Sequence, residues 1–333
     1  MNAAVLSDGG WGTALAMVLA DNGHDVVLWG RTPDHVRGLE ATRENARYLP
    51  GVSLPDSLSV TSDLSTSMAG AELVVLAPPA QHMGELLCRL REERCALAGA
   101  TYVSVSKGIE IGSLRRMSEL VSDVLGSVPL AVLSGPSHAE EVARRTPTAV
   151  VVASVDSATS DAVQGAFMND TFRIYTTEDV PGVELAGALK NVYALAAGVC
   201  DGMDFGDNTK AALMTRAIAE MARLGRALGG RPETFAGLSG VGDLIVTCMS
   251  RHSRNRYVGE QLGKGRVLED IRHAMGGKVA EGVATAKSAY CLAARAGVET
   301  PITDEIYAAL YEGRNPLKAV HGLMTRKARA ETE

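Results

Sequence analysis

Aromatic side chains are scarce in this sequence, 4% of its 333 residues, with two tryptophans and four phenylalanines. Proteins that stack on bases need such rings, and those that grip nucleic acid need a basic face. Here the formal net charge is −6, so no nucleic-acid partner is expected. A small anion held by a local basic cluster is still allowed. The five cysteines, Cys88, Cys95, Cys200, Cys248 and Cys291, are odd in number and form no C-x-x-C. They fall in apolar or helical contexts and read as buried, reduced thiols of a cytoplasmic protein, with neither a metal nor a catalytic role. No run of about 18 apolar residues is present, so no membrane span is expected. No signal peptide is read either, because Met1-Asn2 leads straight into an apolar run. Internal repeats and low-complexity segments are also missing.

Glycine, by contrast, is abundant at 35 residues. The chain is long enough for two domains, each with its own core. Its first half alternates short apolar runs with helical stretches. Strands are expected at 3–6, 25–29, 72–77, 101–105, 130–134, 148–153 and 172–176. Most are continuously apolar, the mark of strands buried on both faces of a parallel sheet. Asn22-Gly23 is the expected end of the first helix. After about residue 183 the strand signal stops. Helices are expected at 183–199, 209–228, 254–262, 266–275, 280–295, 303–312 and 315–327, and the charged tail from Lys327 to Glu333 is expected to fray. The fold class is therefore α/β: a Rossmann-like doubly wound domain over 1–183 and an all-helical domain over 184–333. The small-residue helices of the second domain suit a homodimer interface or an internal core equally well.

The first apolar run, Ala3–Leu6, is followed by Ser7-Asp8-Gly9-Gly10-Trp11-Gly12 and then a small-residue helical stretch. Strand, glycine turn and helix in that order read as a dinucleotide fingerprint, G-x-G-x-x-G, with serine at its first place. The second glycine lets backbone approach a pyrophosphate and the third lets helix pack on strand. Gly9 and Gly12 fill those places, and phosphates would sit on the following helix start. Ser7 is expected to keep the turn at a negative φ, where a Cβ is tolerated. The next strand ends Leu28-Trp29-Gly30-Arg31, without the acid that NAD-selective folds place there. Arg31 is suited to a 2′-phosphate or to stacking on adenine, which implies that NADP is accepted and NAD is not excluded.

Four later segments set polar groups among small or apolar ones. Ser106-Lys107-Gly108 follows a strand, at the edge where such sheets bind ligands, and its lysine is either a ligand group or a solvated surface residue. Ser134-Gly135-Pro136-Ser137-His138-Ala139 also follows a strand, and its Gly-Pro break either presents backbone amides or is a plain turn. Lys190-Asn191 interrupts the apolar helix 183–199. A lysine there is either a proton donor whose pKa burial lowers or a snorkelling surface group. Asp243 follows Gly240-Val241-Gly242, and Ser253-Arg254-Asn255-Arg256 sets a hydroxyl, a guanidinium and an amide at an expected helix start. That is a natural seat for a phosphate.

Taken in order, several segments closely resemble the bacterial NAD(P)-dependent glycerol-3-phosphate dehydrogenases. They are Gly9–Leu15, Ser106–Glu110, Leu133–Ser137, Lys190–Val192, Gly242–Leu244, Ser253–Arg256 and Glu281-Gly282. The resemblance runs from the first strand to about residue 315, and Ser7 is its clearest departure. It implies reversible reduction of dihydroxyacetone phosphate to sn-glycerol 3-phosphate for phospholipid synthesis, with NADP or NAD as cofactor. By position it makes Lys190 the catalytic acid and base. Lys107, Gly135, Ser137, Asp243, Ser253, Arg254 and Asn255 become substrate groups. Gly9, Gly10, Trp11, Gly12, Arg31, Lys107, Ala139, Arg254, Val279 and Glu281 become cofactor groups. Two other readings stay open: a β-hydroxyacid-type dehydrogenase, which also pairs lysine with asparagine on a helix, and a nonenzymatic NADP(H)-sensing regulator.

Overall fold

The computed structural model describes residues 1–97, 99–328 and 330–331. Its first half runs β1 (Asn2–Leu6), α1 (Gly10–Asp21), β2 (Asp25–Trp29), α2 (Pro33–Thr42), β3 (Ser59–Thr61), α3 (Leu64–Met68), β4 (Leu73–Leu76) and α4 (Met83–Glu92). It continues with β5 (Thr101–Ser104), α5 (Met117–Leu125), β6 (Leu130–Ser134), α6 (Ala139–Val142), β7 (Thr148–Ala153), α7 (Ser157–Phe167) and β8 (Phe172–Thr177). The strands form one sheet in the order β3-β2-β1-β4-β5-β6-β7-β8. The first six follow the doubly wound dinucleotide-binding order, whose ligand crevice opens where the order reverses, between β1 and β4.

Alternate strand residues face opposite layers. Val5, Leu28 and Val75 pack with Leu15 and Leu19 of α1. Leu6, Val74 and Leu76 pack with Leu86, Leu87 and Leu90 of α4. Both faces are apolar, which is why these strands read as continuous runs.

Two features differ from the sequence reading. β3 was not expected: it has three residues and only Val60 is buried, so no apolar run marks it. The sheet is also not wholly parallel, because β7 runs antiparallel to β6. Between them lies only the four-residue α6, too little helix to carry the chain back across the sheet for a parallel return.

The second half holds α8 (Val180–Gly202), α9 (Asp207–Ala227), α10 (Pro232–Phe235), α11 (Asp243–Met249) and α12 (Arg254–Gly263). After these come α13 (Leu268–Ala274), α14 (Glu281–Ala296), α15 (Pro301–Tyr311) and α16 (Pro316–Met324). The short α10 and α11, with a wide π-type turn over Leu238–Gly242 between them, were not anticipated. By length and composition α8 is apolar enough to cross a membrane, but its apolar stretch is 100% buried inside this protein. Its Asp179 cap accepts from the Gly182 N–H.

Helices α8 and α12 touch backbone to backbone. A Cβ on Gly198 would lie 2.0 Å from the Arg256 carbonyl oxygen, and one on Gly259 would lie 1.9 Å from that of Leu195. Only glycine permits that approach. The contact brings the start of α12 to the middle of α8.

Cys95, Cys200 and Cys248 are buried, whereas Cys88 and Cys291 are half-buried, against the expectation that all five would be enclosed. In the tail expected to fray, Arg329, Thr332 and Glu333 lie outside the described residues.

Candidate active site

The turn between β1 and α1 is closed tightly on itself. A Cβ on Gly12 would lie 2.1 Å from the Ser7 carbonyl oxygen, and one on Gly10 would lie 2.8 Å from that of Tyr48. Gly9 is the N-cap of α1 and has no side chain to cap it. The N–H groups of the first turn are therefore left for an anion. Ser7 corrects the expectation of a negative φ: it stands at φ 131°. The path from β1 over Gly12 requires this, and the Ser7 N–H donates to the Trp29 carbonyl at 3.1 Å. The serine thus adopts a glycine conformation, at a cost of about 1–3 kcal/mol. Trp11 Nε1 is buried with no hydrogen-bond partner among the described residues. A Cβ on Gly10 would lie 3.7 Å from the Ala139 Cβ, so α6 flanks the same turn.

Arg31 stands at the end of β2, exposed, with Nη1 donating to Glu85 Oε1 at 3.1 Å. Glu281 opens α14. Its Oε1 accepts from the Ala80 N–H at 3.1 Å, while its Oε2 is buried without a hydrogen-bond partner among the described residues. Burial pushes the Glu281 carboxyl above its usual pKa, and the Ala80 N–H and the Arg254 charge pull it back. Val279, just before α14, is exposed.

The polar segments from two strand ends and two helices converge on one carboxylate. Lys190 Nζ on α8 donates to Asp243 Oδ1 at 2.7 Å and to Thr247 Oγ1 at 2.8 Å. Lys107 Nζ, beyond β5, donates to Asp243 Oδ2 at 2.7 Å and to the Gly135 carbonyl, beyond β6, at 2.8 Å. Two ammonium groups and one carboxylate leave a net charge of +1, suited to an anion. Lys107 and Lys190 are neither solvated nor snorkelling, because Gly187 on α8 lets the sheet come close. A Cβ there would lie 2.7 Å from Ser134 Oγ and 3.6 Å from Lys107 Cγ.

The charges set the protonation of the lysine. Burial lowers Lys190 from 10.5 to about 8; Asp243 opposes the shift and Lys107 adds to it. For Asp243 burial works upward, but the two lysines more than offset it, and its carboxyl lies below the usual value. The Gly-Pro break offers a carbonyl here: Gly135, at φ 136°, accepts from Lys107 and also from the Ser137 hydroxyl at 2.9 Å.

The start of α12 is braced rather than open. Ser253 Oγ caps it by accepting from the Arg256 N–H at 3.2 Å. Asn255 Nδ2 donates to Asn191 Oδ1 at 2.8 Å, and Asn255 Oδ1 accepts from the Gly282 N–H at 2.9 Å. Asn191 in turn donates to the Lys107 carbonyl at 3.3 Å. This chain of amides ties α8, α12 and α14 to the strand end that carries Lys107. Arg256 is committed to Asp201, with Nη1 2.5 Å from Oδ2, whereas Arg254 is exposed. Thr247 was missed in the sequence. Its signal was its place four residues after Asp243, on the same face of a helix that was not anticipated. Of the residues singled out from sequence, Lys107, Gly135, Ser137, Lys190 and Asp243 form the cluster, Asn255 joins it through Asn191, and Ser253 caps the helix that carries Asn255. Arg31, Arg254 and Val279 are not bonded to it.

Known proteins resemble this chain in sequence and fold. Residues 2–160 match the family model described as NAD-dependent glycerol-3-phosphate dehydrogenase N-terminus, and residues 179–321 match its C-terminus counterpart. A glycerol-3-phosphate dehydrogenase [NAD(P)+] of Geobacillus thermodenitrificans is 51% identical over 99% of this chain and 96% of that protein. The chain belongs to the NAD-dependent glycerol-3-phosphate dehydrogenase family. A second relative, of Chlorobium phaeobacteroides, is 48% identical over 99% of both chains. Among solved structures, glycerol-3-phosphate dehydrogenase from Coxiella burnetii superposes with a TM-score of 0.94 at 39% identity, covering 98% of this chain and 99% of that one. The likeness to D-mandelate dehydrogenase, at 10% identity and a TM-score of 0.63, is one of fold alone.

Proposed function

We propose that this chain reversibly reduces dihydroxyacetone phosphate to sn-glycerol 3-phosphate with NAD(P)H. In this reading residues 1–183 carry the cofactor site, and 184–333 the substrate and catalytic groups. The supporting observation is the pair of lysines held on Asp243 beside the crevice of a dinucleotide-binding sheet. The closed glycine turn, the uncapped start of α1 and the unpartnered Trp11 Nε1 and Glu281 Oε2 fit a dinucleotide. Gly9, Gly10, Trp11 and Gly12 would hold its phosphate end, with Arg31, Lys107, Ala139, Arg254, Val279 and Glu281 as further contacts.

When bound, the nicotinamide supplies the hydride that reaches the ketone carbon. Negative charge then gathers on the carbonyl oxygen. Lys190, as ammonium, stabilises that charge and delivers the proton. In the reverse direction the neutral amine accepts it, which a pKa of about 8 allows. Asp243 aims the Lys190 ammonium through Oδ1 and holds Lys107 through Oδ2. Lys107 adds a second positive charge where the oxyanion forms, and the Gly135 carbonyl and Ser137 keep it in place. Arg254 takes the substrate phosphate, and Ser253 and Asn255 fix the helix start that presents it. Phosphate binding there orients the carbonyl toward Lys190. With this reading go a cytoplasmic location and a supply of glycerol 3-phosphate for phospholipid synthesis.

The deciding experiment follows NAD(P)H absorbance with three acceptors: dihydroxyacetone phosphate, unphosphorylated dihydroxyacetone and a β-ketoacid. Absorbance loss with the phosphorylated ketone alone is expected. Loss with the β-ketoacid alone would transfer the enzyme to another substrate class. No loss with any acceptor, despite cofactor binding, would make the chain a nicotinamide sensor.

A further inference from the structure

The end of β2 lacks an acid in sequence, yet a carboxylate is there in space. Asp8, the residue between Ser7 and Gly9 of the glycine turn, points its side chain across to Gly30. A Cβ on Gly30 would lie 2.3 Å from Asp8 Oδ2. The carboxylate thus occupies the ground where the side chain of an acid ending β2 would begin. In sheets of this order that acid binds the ribose 2′-hydroxyl of NAD. Gly30 is what makes room for it.

One oxygen of the Asp8 carboxylate, Oδ2, has no donor among the described residues. The side chain is 14% exposed, and its nearest counter-charge is His35 Nε2 on α2, 3.6 Å from Oδ2. That is too long for a hydrogen bond. Both Asp8 Oδ2 and His35 Nε2 are buried without hydrogen-bond partners among the described residues. Burial pushes the Asp8 carboxyl up, while His35, its own backbone N–H and Arg47 pull it down. The backbone beside it is firmly held: the Asp8 carbonyl accepts from Asn45 Nδ2 at 2.8 Å and from Thr13 Oγ1 at 3.4 Å. Arg31, the cation that ends this strand, is bonded instead to Glu85.

We propose that Asp8 sets the cofactor preference of this enzyme. Its carboxylate accepts the 2′-hydroxyl of the adenosine ribose and repels a 2′-phosphate, so NADH binds more tightly than NADPH. Arg31 makes NADPH acceptable, and Asp8 makes it the weaker ligand. This inference rests on the dinucleotide reading of the crevice.

The test is calorimetric titration of NADH and of NADPH into the full chain, without substrate, for wild type, Asp8→Asn and Asp8→Ala. Circular dichroism melts confirm folding, and the wild-type ratio bears on the proposal even if a variant does not fold. Expected are a lower Kd for NADH than for NADPH in wild type, and a NADH Kd raised about tenfold or more in the variants through loss of a charge-assisted hydrogen bond. The NADPH Kd is expected to stay level or fall. Tighter NADPH binding by wild type, or an equal weakening of both cofactors in the variants, would overturn the proposal. If wild type bound neither cofactor, the dinucleotide reading itself would fall, and this inference with it.

Discussion

Lys190 and Asp243 face each other at 2.7 Å, and the same carboxylate holds Lys107 at 2.7 Å through its other oxygen. One acid therefore positions two cations that come from different halves of the chain. If Lys190 is the proton donor, Lys190→Ala lowers kcat by about 10²–10⁴. The KM for the ketone should change far less, because the proposed phosphate contact, Arg254, is not bonded to Lys190. Near-normal turnover of this variant would reject the role.

The two directions of the reaction should respond oppositely to pH. Reduction needs the ammonium, so its kcat/KM should fall as pH rises through about 8. Oxidation needs the neutral amine and should rise through the same window. Profiles of both directions, read between pH 6 and pH 10 and bracketing that value by about two units on either side, check this. Parallel limbs would assign the titration to another group.

Arg31 is exposed and bonded to an equally exposed glutamate, Glu85. Arg31→Ala should raise the NADPH KM by about tenfold, as expected for a lost charge-assisted contact, and the NADH KM much less. Equal effects on the two cofactors would remove Arg31 from phosphate recognition.

Ser7 pays a conformational strain that glycine would not. At φ 131°, Ser7→Gly should stabilise the protein by about 1 kcal/mol net of the flexibility added to the unfolded chain. The thermal midpoint should rise by a few degrees or less. A lower midpoint would show that the serine hydroxyl, which accepts from the Gly9 N–H at 3.5 Å, outweighs the strain.

The α8–α12 contact makes a contrasting pair of glycines. Gly259→Ala would force a Cβ to 1.9 Å from the Leu195 carbonyl oxygen and should cost about 3 kcal/mol or more. Gly38→Ala on α2, where nothing lies within 4 Å, should be neutral or stabilising by up to about 1 kcal/mol. Urea unfolding of both variants measures the difference. Equal midpoints would mean that the two helices move apart without penalty.

Strands buried on both faces were legible because burial leaves a run of apolar residues, and β1, β2, β4 and β6 show it. The two-sided sheet, the all-helical second half, the glycine turn and the choice of Lys190 followed from local pattern and resemblance. β3 left no such run, and α11 lay behind a glycine-rich segment that reads as loop. Strand direction is not written in a strand: the apolar run of β7 would look the same parallel or antiparallel, and the short α6 decided it.

Sequence alone determined which chemistry was present: lysines within apolar surroundings, an acid after a glycine turn, a basic helix start. Local hydrophobic spacing and residue chemistry are properties of neighbours in the chain. Tertiary structure decided which of these groups meet. Lys107 and Asp243 are 136 positions apart and share a hydrogen bond, made because Gly187, Gly198 and Gly259 let helices and sheet approach closely. It also decided that Asp8, unremarkable inside its turn, lies beside Gly30. Packing sets distances between segments, and charge acts through those distances rather than along the chain.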